Sequence, residues 1–173
     1  MPELDNPVLQ ALRERRSIRR YTGDPVTSEE MAAVLDAGRW APSGLNNQPW
    51  RFLVLWDADP RVQELAGLTK YSHIVKRAKA LVAVLLHKDS MYHQIKDHQS
   101  GGAAVQNMLL AAHSLGLGGV WLGEILNQEP EVLQALGLDP EAWELVAVVA
   151  VGRPEPGGSS TRKPLEELMI EEL

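Results

Sequence analysis

The stretch I-K-D-H-Q-S-G-G-A-A-V-Q-N-M-L-L-A-A-H-S-L at residues 95–115 decides the fold. Its apolar side chains recur with the period of a helix, which predicts one long helix over this range. They are Val105, Met108, Leu109, Ala112 and Leu115. Gly116 and Gly118 follow directly and predict the end of the helix. One long helix beside only a few strands favours a small sheet wrapped by helices over a large open sheet.

Apolar runs on either side of this helix predict the strands. Residues 50–56, 80–86 and 145–151 read as buried strands, and residues 119–122 as a short extended piece. Residues 69–77 are polar and fit neither class. Because helices and strands alternate without a linker or repeat, the chain is predicted to form a single α/β or α+β layered domain over residues 1–173.

Shorter helices are predicted between the strands. An amphipathic helix near residues 8–12 runs into a cluster of arginines. A capping box at Thr27-x-x-Glu30 opens a second helix that closes near Gly38. Asp59-Pro60 opens a third, and residues 130–136 form a fourth. The chain after Gly152 is rich in Pro, Gly and Ser and ends in an amphipathic segment at residues 165–173.

Charge and composition narrow the class of ligand. The 173-residue chain has a net charge of −6, which argues against nucleic acid and anionic membranes as partners. Five of its 17 basic residues nevertheless fall within eight positions, and a local basic site on an acidic protein suits a small anionic ligand. These five are Arg13, Arg15, Arg16, Arg19 and Arg20.

Several kinds of chemistry are excluded by the residues present. The chain has no cysteine, which removes disulfides, thiolate catalysis and sulfur-ligated metals. His93 and His98 stand five apart, beyond the spacing that places two ligands on one helix face, so no metal site is predicted. Gly116-x-Gly118 lacks the third glycine of a dinucleotide fingerprint, because Trp121 stands there. The N-terminus shows no apolar signal core, so we expect a cytoplasmic protein.

Two polar segments carry the candidate site. R-R-S-I-R-R-Y at residues 15–21 combines guanidinium groups with a hydroxyl, and this is the chemistry of phosphate binding. Taken alone it fits a solvated helix end equally well, since basic residues are favoured there. A-P-S-G-L-N-N-Q-P-W at residues 41–50 is a polar-lined loop leading into a strand. Together the segments predict an anionic cofactor held by the first and covered by the second.

Four blocks in register along the chain resemble the FMN-dependent nitroreductase family. They are R-R-S-I-R-R-Y, A-P-S-G-L-N-N-Q-P-W-R-F, G-L-G-G-V-W-L-G-E and Arg162-Lys163-Pro164. The resemblance covers nearly the whole chain and is to compact members. It implies an α+β three-layer sandwich with a mixed, mostly antiparallel sheet flanked by helices. It also implies an intertwined homodimer with two FMN molecules at the subunit interface, and a C-terminal tail, about residues 153–173, that wraps the partner.

The resemblance assigns the phosphate end of FMN to arginines from both ends of the chain. The phosphate, ribityl chain and pyrimidine edge would be held by residues of the first block: Arg15, Arg16, Ser17 and Arg19. Arg162 would be a second phosphate clamp, with Lys163 as a substitute.

The flavin ring is assigned to two other blocks. The loop residues that would pack near the isoalloxazine ring, reaching the flavin of the neighbouring subunit, are Pro42, Ser43, Gly44 and Asn46. The backbone stretch that would approach flavin N5 and O4 is Trp121, Leu122 and Gly123. Gln48 and Trp50 look structural. Residues 70–73 offer no clear counterpart to the family's contacts with the pyrimidine, and residues 87–97 are too generic to define the substrate mouth.

The implied function is an NAD(P)H-dependent FMN oxidoreductase working by ping-pong hydride transfer. NADH or NADPH would be the reductant, and a small molecule such as a nitroaromatic or a quinone the acceptor. No protein side chain is expected to be catalytic and no metal is needed, because flavin N5 carries the chemistry. The alternatives are a flavoenzyme of the same fold with specialised chemistry, such as a dehalogenase or a flavin destructase, and a non-catalytic flavin-binding redox sensor.

Overall fold

The computed structural model describes residues 6–157 and 159–171. Its helices are α1 (Pro7–Glu14), α2 (Ser28–Arg39), α3 (Arg61–Gly67), α4 (Ser72–Arg77), α5 (Gln94–Ser114) and α6 (Glu129–Ala135). Its strands are β1 (Trp50–Trp56), β2 (Ala80–His87), β3 (Gly118–Leu122) and β4 (Trp143–Gly152). Short 3-10 turns cover Gly44–Asn46, Lys88–Ser90, Glu124–Gln128 and Leu165–Leu168. Within these ranges, no helix is both long and apolar enough to cross a lipid bilayer.

The four strands form one antiparallel sheet in the order β1-β2-β4-β3. The β2–β4 pair lies at the centre and shifts register between Val84 and Leu85. Residues before α2 add a parallel bridge at the β3 edge, between Ser17 and Gly119. The α+β fold with an antiparallel sheet flanked by helices is confirmed, and this isolated bridge is a parallel pairing outside the four strands.

Both faces of the sheet are covered, which makes three layers. Along β2, Leu81, Ala83 and Leu85 face a core formed with α3, α4 and α6. The alternate residues Val82 and Val84 face a second core formed with α2 and α5. Successive strand side chains point to opposite faces, so a strand buried on both sides must be apolar throughout. This is why β2 reads as an uninterrupted apolar run.

Local signals account for several helix ends. Thr27 and Glu30 form the predicted capping box, each side chain accepting from the other's backbone N–H. Gly116 has φ +70°, the left-handed conformation that closes α5. The N-cap of α3 is Pro60, one residue later than predicted, and the Asp59 carboxylate accepts from the backbone N–H of Arg61 at 3.0 Å just before the helix.

Two segments differ from the sequence prediction. Residues 69–77, which fitted neither class, contain α4, whose Ile74 and Val75 are fully buried. The predicted amphipathic segment at residues 165–173 contains a single 3-10 turn at Leu165–Leu168, and residues 172 and 173 lie outside the described range. Neither stretch is long enough to show a helical period clearly.

Tyr21 fastens the N-terminal segment to the sheet. Its ring is buried, and its hydroxyl lies 2.8 Å from the Ile18 carbonyl oxygen and 3.1 Å from that of Ala150 in β4. Burial raises the pKa of the Tyr21 hydroxyl, which keeps it a donor. The ring lies against Gly152, where an added Cβ would stand 2.8 Å from Tyr21 Cδ1.

Replacing Gly152 by Ala should therefore overpack this contact. We expect Gly152→Ala to lower the free energy of unfolding by about 1–3 kcal/mol, because the Tyr21 ring is held by its hydroxyl and cannot retreat freely. Gly67→Ala is the matched control, since nothing lies within 4 Å of the added Cβ at this helical position. Denaturant unfolding of both variants measures the difference, and equal losses would contradict the packing argument.

Candidate functional site

The arginine segment leaves α1 at Arg15 and runs along the open edge of β3. The backbone N–H of Ile18 donates to the Gly119 carbonyl at 3.0 Å. Further along, Thr22 donates to the Arg153 carbonyl at 2.9 Å, and the backbone N–H of Glu155 donates to the Arg20 carbonyl at 3.1 Å. The sheet edge and the chain after β4 therefore hold this segment extended between them.

The Arg15 guanidinium has a hydrogen-bond donor without a partner among the described residues. Its Nε is buried and has no hydrogen-bond partner within the described residues. Burial, and then the charges of Arg162 and Arg16, lowers the pKa of the Arg15 guanidinium. Arg162, which lies 147 positions further along the chain, is therefore close enough to repel Arg15 electrostatically. The positive charges of Arg16 and Arg162 act unfavourably on Arg15, and an anion bound beside Arg15 would offset that repulsion.

Two hollows open beside the arginines. The larger, of about 440 Å³, lies between Arg15 and Arg16 on one side and Leu109 and His113 of α5 on the other. The smaller, of about 140 Å³, is lined by residues 17–20 and 155–157. Ser17 and Arg19 therefore lie at one hollow, and Arg15 and Arg16 at its neighbour.

The stretch 121–123 ends the same strand that the arginine segment borders. Trp121 is the last side chain but one of β3 and is 40% exposed. An added Cβ on Gly102 of α5 would stand 3.3 Å from the Trp121 ring, so this glycine allows α5 to approach closely. Leu122 is buried, and Gly123 is exposed where the chain leaves the sheet.

Glu124 joins this strand end to the segment before α4. Its carboxylate accepts from the Thr69 hydroxyl at 2.7 Å and from the backbone N–H of Lys70 at 3.1 Å. The Thr69 hydrogen bond, with that of Lys70, lowers the pKa of Glu124. The sequence alone indicates no role for residues 70–73. It also does not indicate the link between Thr69 and Glu124, because these two residues are 55 positions apart.

The loop that contains Pro42, Ser43, Gly44 and Asn46 is strained. Leu45, Asn46 and Gln48 have φ of 54°, 54° and 47°, which non-glycine residues adopt only when their surroundings impose it. The Ser43 hydroxyl accepts from the backbone N–H of Gln48 at 3.1 Å. This hydrogen bond and the burial of Trp50 fit the structural roles expected of Gln48 and Trp50.

Asp97 at the start of α5 secures this loop. The carboxylate is fully buried and accepts from the side-chain amide of Asn47 at 3.0 Å. It also accepts from the backbone N–H groups of Tyr92 and His93 at 2.9 and 2.8 Å. Burial by itself would raise the pKa of Asp97, but these donors, led by His93, lower it. An acidic residue in the first turn of a predicted helix was the only sequence signal for this role.

The structure therefore gathers the predicted site residues into two places. Arg15 and Arg16 lie beside the β3 edge, and the bridge between Ser17 and Gly119 links them to the stretch 121–123. Arg162 is near enough to act electrostatically on Arg15. The loop at residues 42–46 lies instead around a separate cavity of about 340 Å³, together with Tyr92 and Lys96 of the region before and at α5. Over the described ranges, no three His, Asp or Glu side chains form a metal-binding group.

Comparison with known proteins identifies the family of the chain. The Nitroreductase family model matches residues 12–153, and the chain belongs to this family. A Methanothermobacter thermautotrophicus protein assigned as an NADH dehydrogenase or NAD(P)H nitroreductase is 36% identical, over 85% of this chain and 77% of that protein. The FMN reductase [NAD(P)H] of Bacillus subtilis is 29% identical, over 92% of this chain and 70% of that protein.

A solved structure shares the whole fold. A Desulfovibrio desulfuricans protein assigned as a nitroreductase, in complex with FMN, is 57% identical to this chain. The match covers 98% of both chains, with a TM-score of 0.96.

Asp97 yields a prediction on stability. Asp97→Asn should lower the free energy of unfolding at pH 7 by about 1.5–3 kcal/mol, because an amide cannot accept from all three donors with a full charge. The matched control is Asp36→Asn, which removes an exposed ion pair with Arg39 and should cost below about 1 kcal/mol.

The pH dependence of this effect has a definite sign. The pKa of Asp97 is lower in the folded chain than the unfolded value of about 3.9, so its stabilisation is complete near neutral pH and is lost as the pH falls through the folded pKa. The difference between wild type and Asp97→Asn in urea unfolding should therefore shrink from pH 7 to pH 3. A constant difference would show that the charge is not responsible.

Proposed function

We propose that this protein is an FMN-dependent oxidoreductase that uses NAD(P)H to reduce small acceptors such as nitroaromatics or quinones. The observation that carries the proposal is the half-buried Arg15 guanidinium, whose buried Nε has no partner in the described chain and whose pKa is lowered by burial and then by the positive charges of Arg162 and Arg16. An anion with several oxygens would satisfy that donor and remove the repulsion, and the terminal phosphate of FMN is such an anion.

The remaining site residues fit the rest of the cofactor. The hydroxyl of Ser17 and the guanidinium of Arg19 lie at the hollow next to the arginines, within reach of a polar chain that continues from the phosphate. At the end of β3, Gly123 carries no side chain, so its backbone can lie close to a flat ring. Arg162 supports the phosphate role better than Lys163, whose Nζ lies 3.8 Å from a Glu167 carboxylate oxygen.

When bound, FMN would supply hydride transfer through N5 between NAD(P)H and a small acceptor. The protein's part is to fix the phosphate by charge, to place backbone N–H groups beside the ring and to exclude water. The names of the matched relatives, FMN reductase and NAD(P)H nitroreductase, favour a reductase over a dehalogenase, a flavin destructase or a redox sensor.

Removing the Arg15 side chain tests the phosphate assignment. Arg15→Ala should weaken FMN binding about 10- to 150-fold, which corresponds to the loss of one charge-assisted hydrogen-bond set of roughly 1.5–3 kcal/mol. Arg13→Ala removes an exposed arginine two positions earlier and should leave FMN affinity unchanged. Equilibrium titration of apoprotein with FMN measures both. An Arg15→Ala protein with wild-type affinity would refute the assignment.

We further propose that the working unit is a homodimer in which residues 153–173 lie against the partner subunit. In one chain, the apolar side chains of Leu168 and Ile170 are exposed, the latter completely. Trp40 is 72% exposed beside an apolar cleft of about 450 Å³ between α1, α2 and α5. Burying such surface favours association at roughly 25 cal/mol per Å². The separation of the loop at residues 42–46 from the arginines is then explained if the loop serves the partner's flavin.

Mixed dimers test this sharing of the site. In a homodimer of either variant, Arg15→Ala or Asn46→Gly, both flavin sites should be impaired. Glycine is chosen at position 46 because it accepts the positive φ of Asn46 without strain. If each site takes its arginines from one subunit and its loop from the other, a dimer with one chain of each kind has one intact site. We expect about one FMN bound with wild-type affinity per mixed dimer, purified through two affinity tags and titrated with FMN.

A second mixed dimer provides the control. Pairing Arg15→Ala with Arg16→Ala leaves every site with one missing arginine, so affinity should not recover. Recovery in neither mixture would show that the loop serves the flavin of its own chain or no flavin.

A further inference from the structure

A cavity lies beside the loop at residues 42–46. Its volume is about 340 Å³. The loop forms one wall, and Tyr92 together with α5 forms the other. The residues that line it are Pro42, Ser43, Gly44, Tyr92, Lys96, Gln99, Ser100 and Ala103. A volume of this size suits one substituted aromatic ring and is small for a dinucleotide.

The Tyr92 ring packs against the loop because Gly44 has no side chain. An added Cβ on Gly44 would overlap the Tyr92 hydroxyl, so the ring can lie here only because residue 44 is glycine. The ring itself remains 42% exposed. Its backbone is fixed from behind, since the Tyr92 N–H donates to the buried Asp97 carboxylate at 2.9 Å. The cavity is therefore walled by an aromatic ring on a rigid support.

Lys96 is the charged group of this cavity. Its Nζ lies 5.5 Å from the centre of the Tyr92 ring, which places the ammonium beside the aromatic wall. None of the described lining residues is acidic, and the ion pairs found in the described chain do not include Lys96. The neighbouring Asp97 carboxylate is buried and directed at three N–H donors, and it is not among the ion-pair partners found for the described lysines.

We propose that this cavity receives the electron acceptor and favours aromatic acceptors that carry an anionic substituent. The acceptor ring packs on Tyr92, and its carboxylate or similar group pairs with Lys96. This inference rests on the proposed reductase function and on the assignment of the loop at residues 42–46 to the flavin ring, since both bring the cavity next to the reacting atoms.

A matched pair of acceptors tests the proposal in the flavin-loaded protein. 4-Nitrobenzoate and 4-nitrobenzamide have similar shapes and differ in charge. In each turnover the nitro group gains two electrons from NAD(P)H, one N–O bond breaks, and with one added proton the products are the nitroso compound, water and NAD(P)+. In a ping-pong cycle kcat/KM for the acceptor does not depend on the nicotinamide concentration, so it reports on the acceptor step alone.

Lys96→Met should lower kcat/KM for 4-nitrobenzoate about three- to tenfold through a higher KM, the range expected for a partly screened ion pair. It should change kcat/KM for 4-nitrobenzamide less than about twofold. Lys96→Arg keeps the positive charge and should retain the preference for 4-nitrobenzoate. The control Lys76→Met removes an exposed lysine on α4 and should affect neither acceptor. Calorimetric titration of the oxidised protein with each acceptor should show the same preference in Kd.

The outcomes separate this inference from the function beneath it. If kcat/KM for each acceptor is the same in wild type and in Lys96→Met, the anion preference is overturned, while the proposed reductase function is still supported. A changed KM for NAD(P)H in Lys96→Met, with acceptor kinetics intact, would overturn the acceptor assignment. A Lys96-dependent Kd for 4-nitrobenzoate without turnover of either acceptor would support the anion site and refute the proposed activity.

Discussion

The pairing of residues 15–21 with the edge of β3 is the contact on which the rest of the site depends. A parallel bridge at Ser17 and Gly119 and a hydrogen bond from Ile18 fix the segment, and the Tyr21 hydroxyl ties it to the β4 carbonyl of Ala150. Without this pairing the arginines would be a solvated helix end. With it, one short stretch of chain is both a sheet edge and a wall of two hollows.

The guanidinium charges along that wall repel one another. Burial and the neighbouring charges of Arg16 and Arg162 act in the same direction on Arg15, so folding brings together groups that repel one another. The two apolar cores on either side of the sheet supply the stability that permits this. An anionic ligand bound only by the folded chain would relieve the repulsion and stabilise the protein by mass action. Cofactor affinity and fold stability are therefore linked through the same side chains.

A second centre is organised by a buried carboxylate instead of by cations. Asp97 collects donors from Asn47, Tyr92 and His93, and so joins the strained loop to the start of α5. All three donors point at one buried charge, so the loop and Tyr92 are held by the same carboxylate. This explains how a loop with three positive φ values can remain well defined beside a cavity.

The sequence by itself determined the parts that rest on local rules. The period of α5, the apolar runs of the strands and the capping box at Thr27 depend on neighbours a few positions apart, and the four blocks that resemble the nitroreductases stand in chain order. Only the tertiary structure decided that Arg15 and Arg162 lie close together, that Glu124 holds Thr69, and that Asp97 anchors the loop. These contacts join positions tens of residues apart. They form only when the layers of the fold pack together, so no local sequence pattern predicts them.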